Sequence, residues 1–384
     1  MNFELSEEQA MVRDAVRDFA RDVVAPRAAE IDQTGEFPTE EFRRAGELGF
    51  AGVAVPEAYG GAGMDTLAYA IVIEEVSKAC ANMGVILSVN NSLVCDPIAK
   101  FGTEAQKREF LEPLARGEKL GCFALTEPEA GSDAANQKTR AVRDGDVYRL
   151  TGEKIFITCG AAADLALVFA STDREKKHKG ISAFLVDTQA PGFDRSHHQV
   201  KLGVNASGTV EIFLNDVAVP AANRLGEEGD GFRIAMATLD GGRIGIAAQA
   251  VGIAQSAFEA AVRYAGERKV FGRPIAEFQA LRFYVADMAT ELDAARLLTW
   301  RAAAAQDEAA AGGGRYTEEA AIAKLYAAEM AQRVTTKALQ IHGGYGYTKE
   351  FPVERNFRDA RITEIYEGTS EIQRVVIARE IFAH

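Results

Sequence analysis

The sequence has few cysteines, few histidines and few of the motifs that mark hydrolytic enzymes. Its 384 residues include 4 Cys and 5 His. The cysteines (Cys80, Cys95, Cys122 and Cys159) form no CxxC pair, so we interpret them as reduced, buried thiols rather than as a disulfide scaffold. The histidines make neither an HExxH motif nor a Cys/His cluster, and no GxSxG motif occurs. The sequence therefore predicts no metal site and disfavours a serine hydrolase.

Long apolar runs and an excess of positive charge are also missing. No stretch of 18 or more residues is continuously apolar, which predicts no membrane span. The chain begins with acidic residues and lacks the pattern of a signal peptide, so we expect a cytoplasmic protein. The 43 Lys and Arg face 56 Asp and Glu, a net charge of −13, and this field repels nucleic acid. Neither nucleic acid nor an anionic membrane is an expected partner.

The pattern of apolar residues changes twice along the chain. Helical spacing follows a capping-box pattern at Ser6 and Gln9, and short β-branched segments without helices between them fill residues 147–219. Long alanine-rich helical patterns return from about Gly231. We therefore predict a mostly α protein with a central antiparallel β domain: an N-terminal helical domain (1–121), a middle β domain (122–230) and a C-terminal helical bundle (231–384). This order argues against a doubly wound sheet.

One segment near the C-terminus could carry acid–base chemistry. Ser370 and Gln373 have capping-box spacing, which predicts a helix that begins with Ser370 as its cap. Glu367 then lies on the loop before the helix, and Gly368 permits a tight backbone approach. The positive end of the helix lowers the pKa of such a carboxyl, whereas burial raises it. A general base near neutral pH requires burial to dominate, although most carboxylates at this spacing simply begin a helix.

Three further segments could bind a ligand, and each has an ordinary structural alternative. Residues 121–133 read as a buried strand that enters a Pro/Gly turn with hydroxyl groups, or as a plain strand-end loop. Residues 268–279 place three basic side chains at a corner between helices, as an anion site or as charges that complement a helix end. Residues 340–347 contain glycines that either end a helix or let a pyrophosphate approach the backbone.

These four segments, in this order, resemble the acyl-CoA dehydrogenase family of flavoenzymes. The resemblance covers essentially the whole chain and is closest to the short-chain (butyryl-CoA) members, through residues 89–93, 239–247 and 297–301. It implies a helical domain, a β-barrel-like domain and a C-terminal four-helix bundle. It also implies a homotetramer with one FAD per subunit, bound between the β domain and the helices and extending to a neighbouring subunit.

The resemblance assigns roles to individual residues. The residues that it implies for FAD are Phe123, Leu125, Thr126, Gly131, Ser132, Phe156, Ile157, Thr158, Arg268, Phe271, Gln279, Gln340, Gly343, Gly344, Thr369 and Glu371. Those that it implies for the acyl-CoA substrate are Ser132, Asp240, Arg243, Tyr366 and Gly368. Two positions depart from the family pattern: Phe156 stands where many members have Trp, and Asn205 replaces a frequent Arg, so no role is assigned to Asn205.

The implied reaction is the α,β-dehydrogenation of a short-chain acyl-CoA to the trans-2-enoyl-CoA, as in β-oxidation. Glu367 is the implied base for the α-proton, and the β-hydrogen passes to the flavin as hydride. Some branches carry the base at the position of Gly242, which cannot serve here. Electron-transfer flavoprotein is the implied partner, and a eukaryotic source would imply the mitochondrial matrix. The alternatives are a branched-chain (isobutyryl- or 2-methylbutyryl-type) dehydrogenase, an oxidase, and a non-catalytic helical scaffold of the same fold.

Overall fold

The computed structural model describes residues 4–383 and begins with a helical part. Ser6 caps the first helix. Its side chain accepts a hydrogen bond from the backbone N–H of Gln9, and the Gln9 side chain accepts one from the backbone N–H of Ser6, so the predicted capping box is present. A π-helical segment, Val89–Cys95, continues the fifth helix into the sixth. The helices of this part are α1 Glu7–Phe19, α2 Ala28–Thr34, α3 Thr39–Glu47, α4 Thr66–Ala79, α5 Ala81–Ser88, α6 Asp96–Phe101, α7 Glu104–Gln106 and α8 Glu112–Ala115.

The middle of the chain forms an eight-stranded sheet. Its strands are β1 Gly121–Ala124, β2 Arg140–Asp144, β3 Val147–Ile157, β4 Leu165–Ser171, β5 Ile181–Asp187, β6 Phe193–Asp194, β7 Val210–Pro220 and β8 Arg224–Leu225. They pair in the order β6-β7-β3-β2-β4-β5-β8, and β1 adds beside β4. Most pairs are antiparallel, as predicted, but β1 and β4 run parallel, as do β2 and β4 where they meet. The chain enters β1 from the helical N-terminal part and not from a hairpin, so β1 is able to pair in parallel with β4.

The C-terminal part consists mainly of long helices. Its elements are α9 Gly231–Glu267, the short hairpin β9 Lys269–Val270 and β10 Arg273–Pro274, α10 Gln279–Ala310, α11 Thr317–His342, α12 Val353–Ala360 and α13 Ser370–Phe382. Alanines make close helix packing possible, and Ala320, Ala323 and Ala327 of α11 are fully buried. Helix α11 packs against α9, α10 and α13, and α9 also packs against α10, so the C-terminal part is helical as predicted. Helix α4 of the N-terminal part packs on α9.

Three local details differ from the sequence prediction. Thr369, not Ser370, caps α13, because its side chain accepts from the Ile372 amide at 3.3 Å while the Ser370 hydroxyl is buried without a partner. The corner at residues 268–275 is a β-hairpin rather than a plain helix–turn–helix. Residues 147–157 form one strand, with register irregularities where two strands were expected.

Asn205, to which the sequence assigned no role, helps to join the three parts of the chain. Its Nδ2 donates to Asp32 Oδ1 at 3.0 Å, and Arg358 Nη2 donates to Asp32 Oδ2 at 2.7 Å. The neighbouring Val204 amide donates to Asp359 at 2.6 Å. Asp32 is on α2 and Arg358 on α12, so a loop of the β part is held between helices of both ends. Among residues 4–383, no helix has the length and apolar character to cross a membrane.

Candidate active site around Glu367

Glu367 lies in a strained turn directly before α13. Its backbone has φ +51°, and Gly368 follows with φ +92°. Positive φ is uncommon for a residue with a side chain and costs of the order of 1 kcal/mol or more, so the surrounding structure must hold the turn. Among the described residues, six other non-glycine residues have positive φ, Phe156 and Phe271 among them. Three of the residues singled out in the sequence therefore share this unusual backbone, which is typical of functional sites.

The Glu367 side chain points back into the helices. The residue is half-buried, but its Oε2 atom has no exposed surface and no hydrogen-bond partner in the described chain. It lies against Gly242 of α9, where an added Cβ would overlap Oε2 and would also come within 2.8 Å of Leu93. The absence of a side chain at Gly242 therefore leaves the space that the carboxylate occupies.

Burial controls the acidity of this carboxyl. Removal from water raises the pKa of Glu367 from its ordinary 4.5 to about 7, while the positive charges of Lys324 and Arg243 act in the opposite direction. The balance that the sequence left open is thus decided in favour of burial. A carboxyl with a pKa near neutrality can both accept and release a proton under ordinary conditions.

Two residues hold the turn: Lys324, which the sequence prediction did not include, and Gln373, which it included only as a capping-box residue. Lys324 Nζ of α11 donates to the Gly368 carbonyl at 2.7 Å. Gln373 Nε2 of α13 donates to the Gly368 carbonyl at 2.9 Å and to the Glu367 carbonyl at 3.2 Å. The sequence contains a pattern that indicates Lys324. This lysine is a single charge on the apolar face of an alanine-rich helix, and a lysine is rarely buried there unless it has a partner.

The residues expected at the substrate lie on both sides of Glu367. Arg243 is buried and forms an ion pair with Asp240, which also accepts from the Thr317 hydroxyl at 2.7 Å. The Tyr366 hydroxyl donates to Gln249 of α9. Asp240, Arg243 and Gln249 all belong to α9, so this helix and the turn before α13 form two walls around the carboxylate.

The first group of predicted flavin residues gathers where β1 leaves the sheet. The Thr126 carbonyl accepts from the Ile155 amide at 2.9 Å, which fastens the end of β1 to β3. Leu125 and Ile157 are buried, so they can offer a ligand mainly their backbone. Phe123 packs on Phe169 with ring centroids 5.0 Å apart. On the accessible side lie the half-buried Thr126 and Thr158 and the exposed Gly131, Ser132 and Phe156.

A buried ion pair braces the same loop from below. Lys154 Nζ, fully buried, donates to Glu127 Oε1 at 2.8 Å and to the Leu125 carbonyl at 3.1 Å. The Glu127 carboxylate also accepts from the Thr139 amide at 3.1 Å. The charge pair therefore fixes both ends of the turn that contains Gly131 and Ser132.

The second group brings two sequence segments together at the far end of α9. The Arg268 guanidinium lies 5.6 Å from the centre of the Tyr345 ring, so the corner at 268–279 meets the glycine turn that ends α11. Phe271, at the tip of the hairpin, is 94% exposed. The remaining members of this group are all exposed: Gln279, Gln340, Gly343 and Gly344. In the first turn of α13, Glu371 is also exposed, and the cap Thr369 is half-buried.

The chemistry of these groups matches a large, flat, anionic cofactor. Arg268 forms no ion pair within residues 4–383, so its charge is available to a phosphate. A Cβ at Gly131, Gly343 or Gly344 would meet no atom within 4 Å, so the backbone there is open to a ligand. Phe156 and Phe271 present exposed aromatic surface. Within the same residues, no group of three His, Cys, Asp or Glu is placed to hold a metal ion.

Two cavities lie near these elements. A small one, of about 50 Å³, is lined by Tyr69, Ser92, Asp96 and Gly241 among others, and Gly241 immediately precedes Gly242 in α9. A larger groove, of about 590 Å³, runs between α1, α4, α9 and α10 and contains Arg17, Glu75 and Arg296. None of the predicted site residues lines the larger groove, so size alone does not identify the site.

The helix–sheet–helix fold, the buried carboxyl and the surfaces suited to a large anionic group together define a cofactor-dependent enzyme. Family models described as the N-terminal, middle and C-terminal domains of acyl-CoA dehydrogenase match residues 6–118, 122–217 and 229–382. The chain therefore belongs to the acyl-CoA dehydrogenase family, and it is an enzyme of that class.

Individual relatives are similar over their full length. The short-chain specific acyl-CoA dehydrogenase of Clostridium acetobutylicum is 52% identical over 382 residues and covers 100% of both chains. The structure of butyryl-CoA dehydrogenase from Megasphaera elsdenii is 47% identical with a TM-score of 0.97, again over 100% of both chains.

Two further structures bear on the cofactor and the partner. A chain from a structure described as the electron transferring flavoprotein of Acidaminococcus fermentans is 48% identical, with a TM-score of 0.98 and 100% coverage of both chains. A glutaryl-CoA dehydrogenase from Mycobacterium smegmatis, described in complex with FADH2, is 32% identical with a TM-score of 0.92, and covers 99% of this chain and 96% of that one.

Proposed function

We propose that this acyl-CoA dehydrogenase acts on short-chain acyl-CoA thioesters, forms the trans-2-enoyl-CoA, and uses Glu367 as the base for the α-proton. The observation that carries the proposal is the enclosed Glu367 carboxyl, whose Oε2 has no partner and whose pKa is raised to about 7. A base is most effective when its pKa lies near the working pH. The 52% identity to a short-chain specific relative supports the substrate class.

The α-proton of a thioester is a far weaker acid than a carboxyl, so a base alone is insufficient. Hydrogen-bond donors aimed at the thioester carbonyl must stabilise the developing enolate, an effect commonly worth several kcal/mol. The backbone N–H of Glu367 is the donor that this chain contributes. The positive φ of Glu367 and Gly368 turns this backbone away from a regular helix, which supports such a role.

FAD is the cofactor, and when bound it would supply the hydride acceptor. The loop after β1, with Thr126, Gly131 and Ser132, and the bulge at Phe156 to Thr158 would hold the flavin ring. Arg268, Phe271 and Gln279, with the turn at Gly343 and Gly344, would serve the anionic remainder across a subunit boundary. That second surface is exposed in a single chain, which supports a homotetramer in which a neighbour completes the site.

An electron-transfer flavoprotein is the proposed electron acceptor. The similarity to a chain from a structure described by that partner supports this assignment. The proposed divisions of the chain remain 1–121, 122–230 and 231–384. A cytoplasmic location in a bacterium, or the matrix in a mitochondrion, stays an expectation from the sequence.

A substrate panel tests the proposal directly. The flavin absorbance of the purified enzyme is followed anaerobically after addition of butyryl-, isobutyryl-, 2-methylbutyryl- or octanoyl-CoA. We expect butyryl-CoA to bleach the flavin fastest. Faster bleaching by a branched substrate would replace the straight-chain assignment, and hydrogen peroxide produced in air would identify an oxidase. A protein without a flavin band would be a scaffold.

The assignment of the base is tested with Glu367→Gln. This variant keeps the size of the side chain but cannot accept the α-proton. We expect it to retain FAD and to lose about 10²–10⁴-fold or more in the bleaching rate. Bleaching at the normal rate would show that another group removes the proton.

A further inference from the structure

The turn at Glu367 and Gly368 is held by one charged and one neutral side chain. Lys324 Nζ donates to the Gly368 carbonyl, and Gln373 Nε2 donates to both the Gly368 and the Glu367 carbonyls. Both residues are buried, with 0% of either exposed. The two donors reach the turn from different helices, α11 and α13, so the turn is fixed from two directions.

Lys324 is unusual because a neutral donor would satisfy the same carbonyl. An ammonium group loses much of its hydration when it is buried, which is costly unless nearby negative charge compensates. Within residues 4–383, Lys324 Nζ donates to the Gly368 carbonyl and has no carboxylate oxygen within 4.0 Å. Its charge therefore acts beyond direct ion-pair distance, and the acidic groups that act on it most strongly are those of Glu367, Glu364 and Glu371.

The other charge near Glu367 is already paired. Arg243 of α9 is bound to Asp240, so much of its positive charge is compensated within α9 itself. Tyr69 of α4 and the adjacent Tyr366 also face the carboxylate and stay neutral, since burial raises the pKa of both hydroxyls. Of the two cations in the described chain that act on Glu367, Lys324 is therefore the one without an ion-pair partner within 4.0 Å.

We infer that Lys324 is a positioning residue for the base: it holds the Gly368 carbonyl, and its ammonium charge favours the ionised form of the Glu367 carboxylate. This inference rests on the proposed role of Glu367 and adds a second requirement to it. Burial alone favours the protonated carboxyl, and the nearby ammonium group of Lys324 opposes this effect. Burial also lowers the pKa of Lys324 to about 8, so this group is still mostly charged near pH 7.

The test compares Lys324→Met, Lys324→Gln and Lys324→Arg with Gln373→Leu as the matched control. Lys324→Met removes donor and charge, Lys324→Gln keeps a donor without the charge, and Lys324→Arg keeps the charge. Gln373→Leu removes hydrogen bonds to the same turn without changing any charge. For each FAD-loaded variant, the bleaching rate with butyryl-CoA is measured against pH.

The base is active when ionised, so the rate rises with pH through the pKa of Glu367. We expect loss of the Lys324 charge to move this rise to higher pH by about one unit in Lys324→Met and Lys324→Gln. Lys324→Arg should keep the rise near its original pH. Gln373→Leu should slow the reaction at every pH without moving the rise. Superimposable profiles for the wild type, Lys324→Gln and Lys324→Met would overturn the inference.

A second measurement does not depend on turnover. The carbonyl band of protonated Glu367, identified by its absence in Glu367→Gln, is followed by infrared difference spectroscopy against pH without substrate. Its midpoint should rise in Lys324→Met and Lys324→Gln; an unchanged midpoint in both overturns the inference. If Lys324→Met fails to fold, the comparison of Lys324→Gln with Lys324→Arg decides. If no acyl-CoA bleaches the wild type, the proposed function fails separately, and the infrared midpoints still test Lys324.

Discussion

The carboxylate of Glu367 occupies the space that a side chain at Gly242 would fill. An added Cβ on Gly242 would overlap Oε2, and the same Cβ would lie 2.8 Å from Leu93 Cδ2. The two residues are 125 positions apart in sequence and meet only because the turn before α13 packs against α9. A glycine in the interior of a helix carries a cost of about 1 kcal/mol relative to alanine, so its presence here has a packing reason.

We predict that Gly242→Ala displaces the base while FAD still binds. The added methyl group forces the Glu367 carboxylate to move, and small displacements of a catalytic group can cost up to about 10²-fold in rate. The anaerobic bleaching rate with butyryl-CoA should fall at least about tenfold. Gly266→Ala, on the exposed end of the same helix with no atom within 4 Å of the added Cβ, is the control and should keep the rate.

Glu367 should cost stability in the pH range where it works. Folding raises the pKa of Glu367 from 4.5 to about 7. The free energy of unfolding of the protein therefore falls as the pH rises from about 4.5 to about 7. The full cost, of the order of 3 kcal/mol, is present above about pH 7. We expect Glu367→Gln to have a higher free energy of unfolding than the wild type at about pH 8 and a similar one near pH 4. Denaturant unfolding at saturating FAD measures this difference, with the exposed Glu350→Gln as control. A constant difference across this range would contradict the buried, raised-pKa carboxyl.

Arg268 should contribute to cofactor retention rather than to chemistry. A charged hydrogen bond to a phosphate is worth about 1.5–3 kcal/mol, so Arg268→Gln should weaken FAD binding by roughly 10- to 100-fold. FAD release during dilution or dialysis, followed by fluorescence, measures the effect. Arg263→Gln, one turn earlier on the exposed face of α9, is the matched control. Equal retention in both variants would remove Arg268 from the cofactor site.

The buried pair under the flavin loop should be sensitive to loss of one partner. Lys154→Met leaves the Glu127 carboxylate buried without its cation, which typically costs about 3–5 kcal/mol. We expect a lower melting temperature and a looser loop at Gly131 and Ser132. The double variant Lys154→Met/Glu127→Leu should recover a large part of the stability, because no unpaired charge remains. A double variant as unstable as the single one would show that the loss arises from packing alone.

Much of the architecture follows from local sequence patterns. The capping box at Ser6 and Gln9, the strands that form β4, β5 and β7, and the long alanine-rich helices are all encoded by spacing and residue type. Local patterns failed where a single residue decides a boundary. Thr369 and Ser370 are equally good caps by type, and only the geometry of the turn selects Thr369.

The sequence by itself determined the order of helices and strands, the family resemblance and Glu367 as the candidate base. Whether the Glu367 carboxyl is dry, and which residues surround it, depended on the tertiary structure. Gly242, Lys324 and Gln373 come from three different helices, and no short-range pattern specifies that they converge on one turn. The pKa of a carboxyl depends on the solvent and the charges around it, and these exist only once the distant segments have packed together.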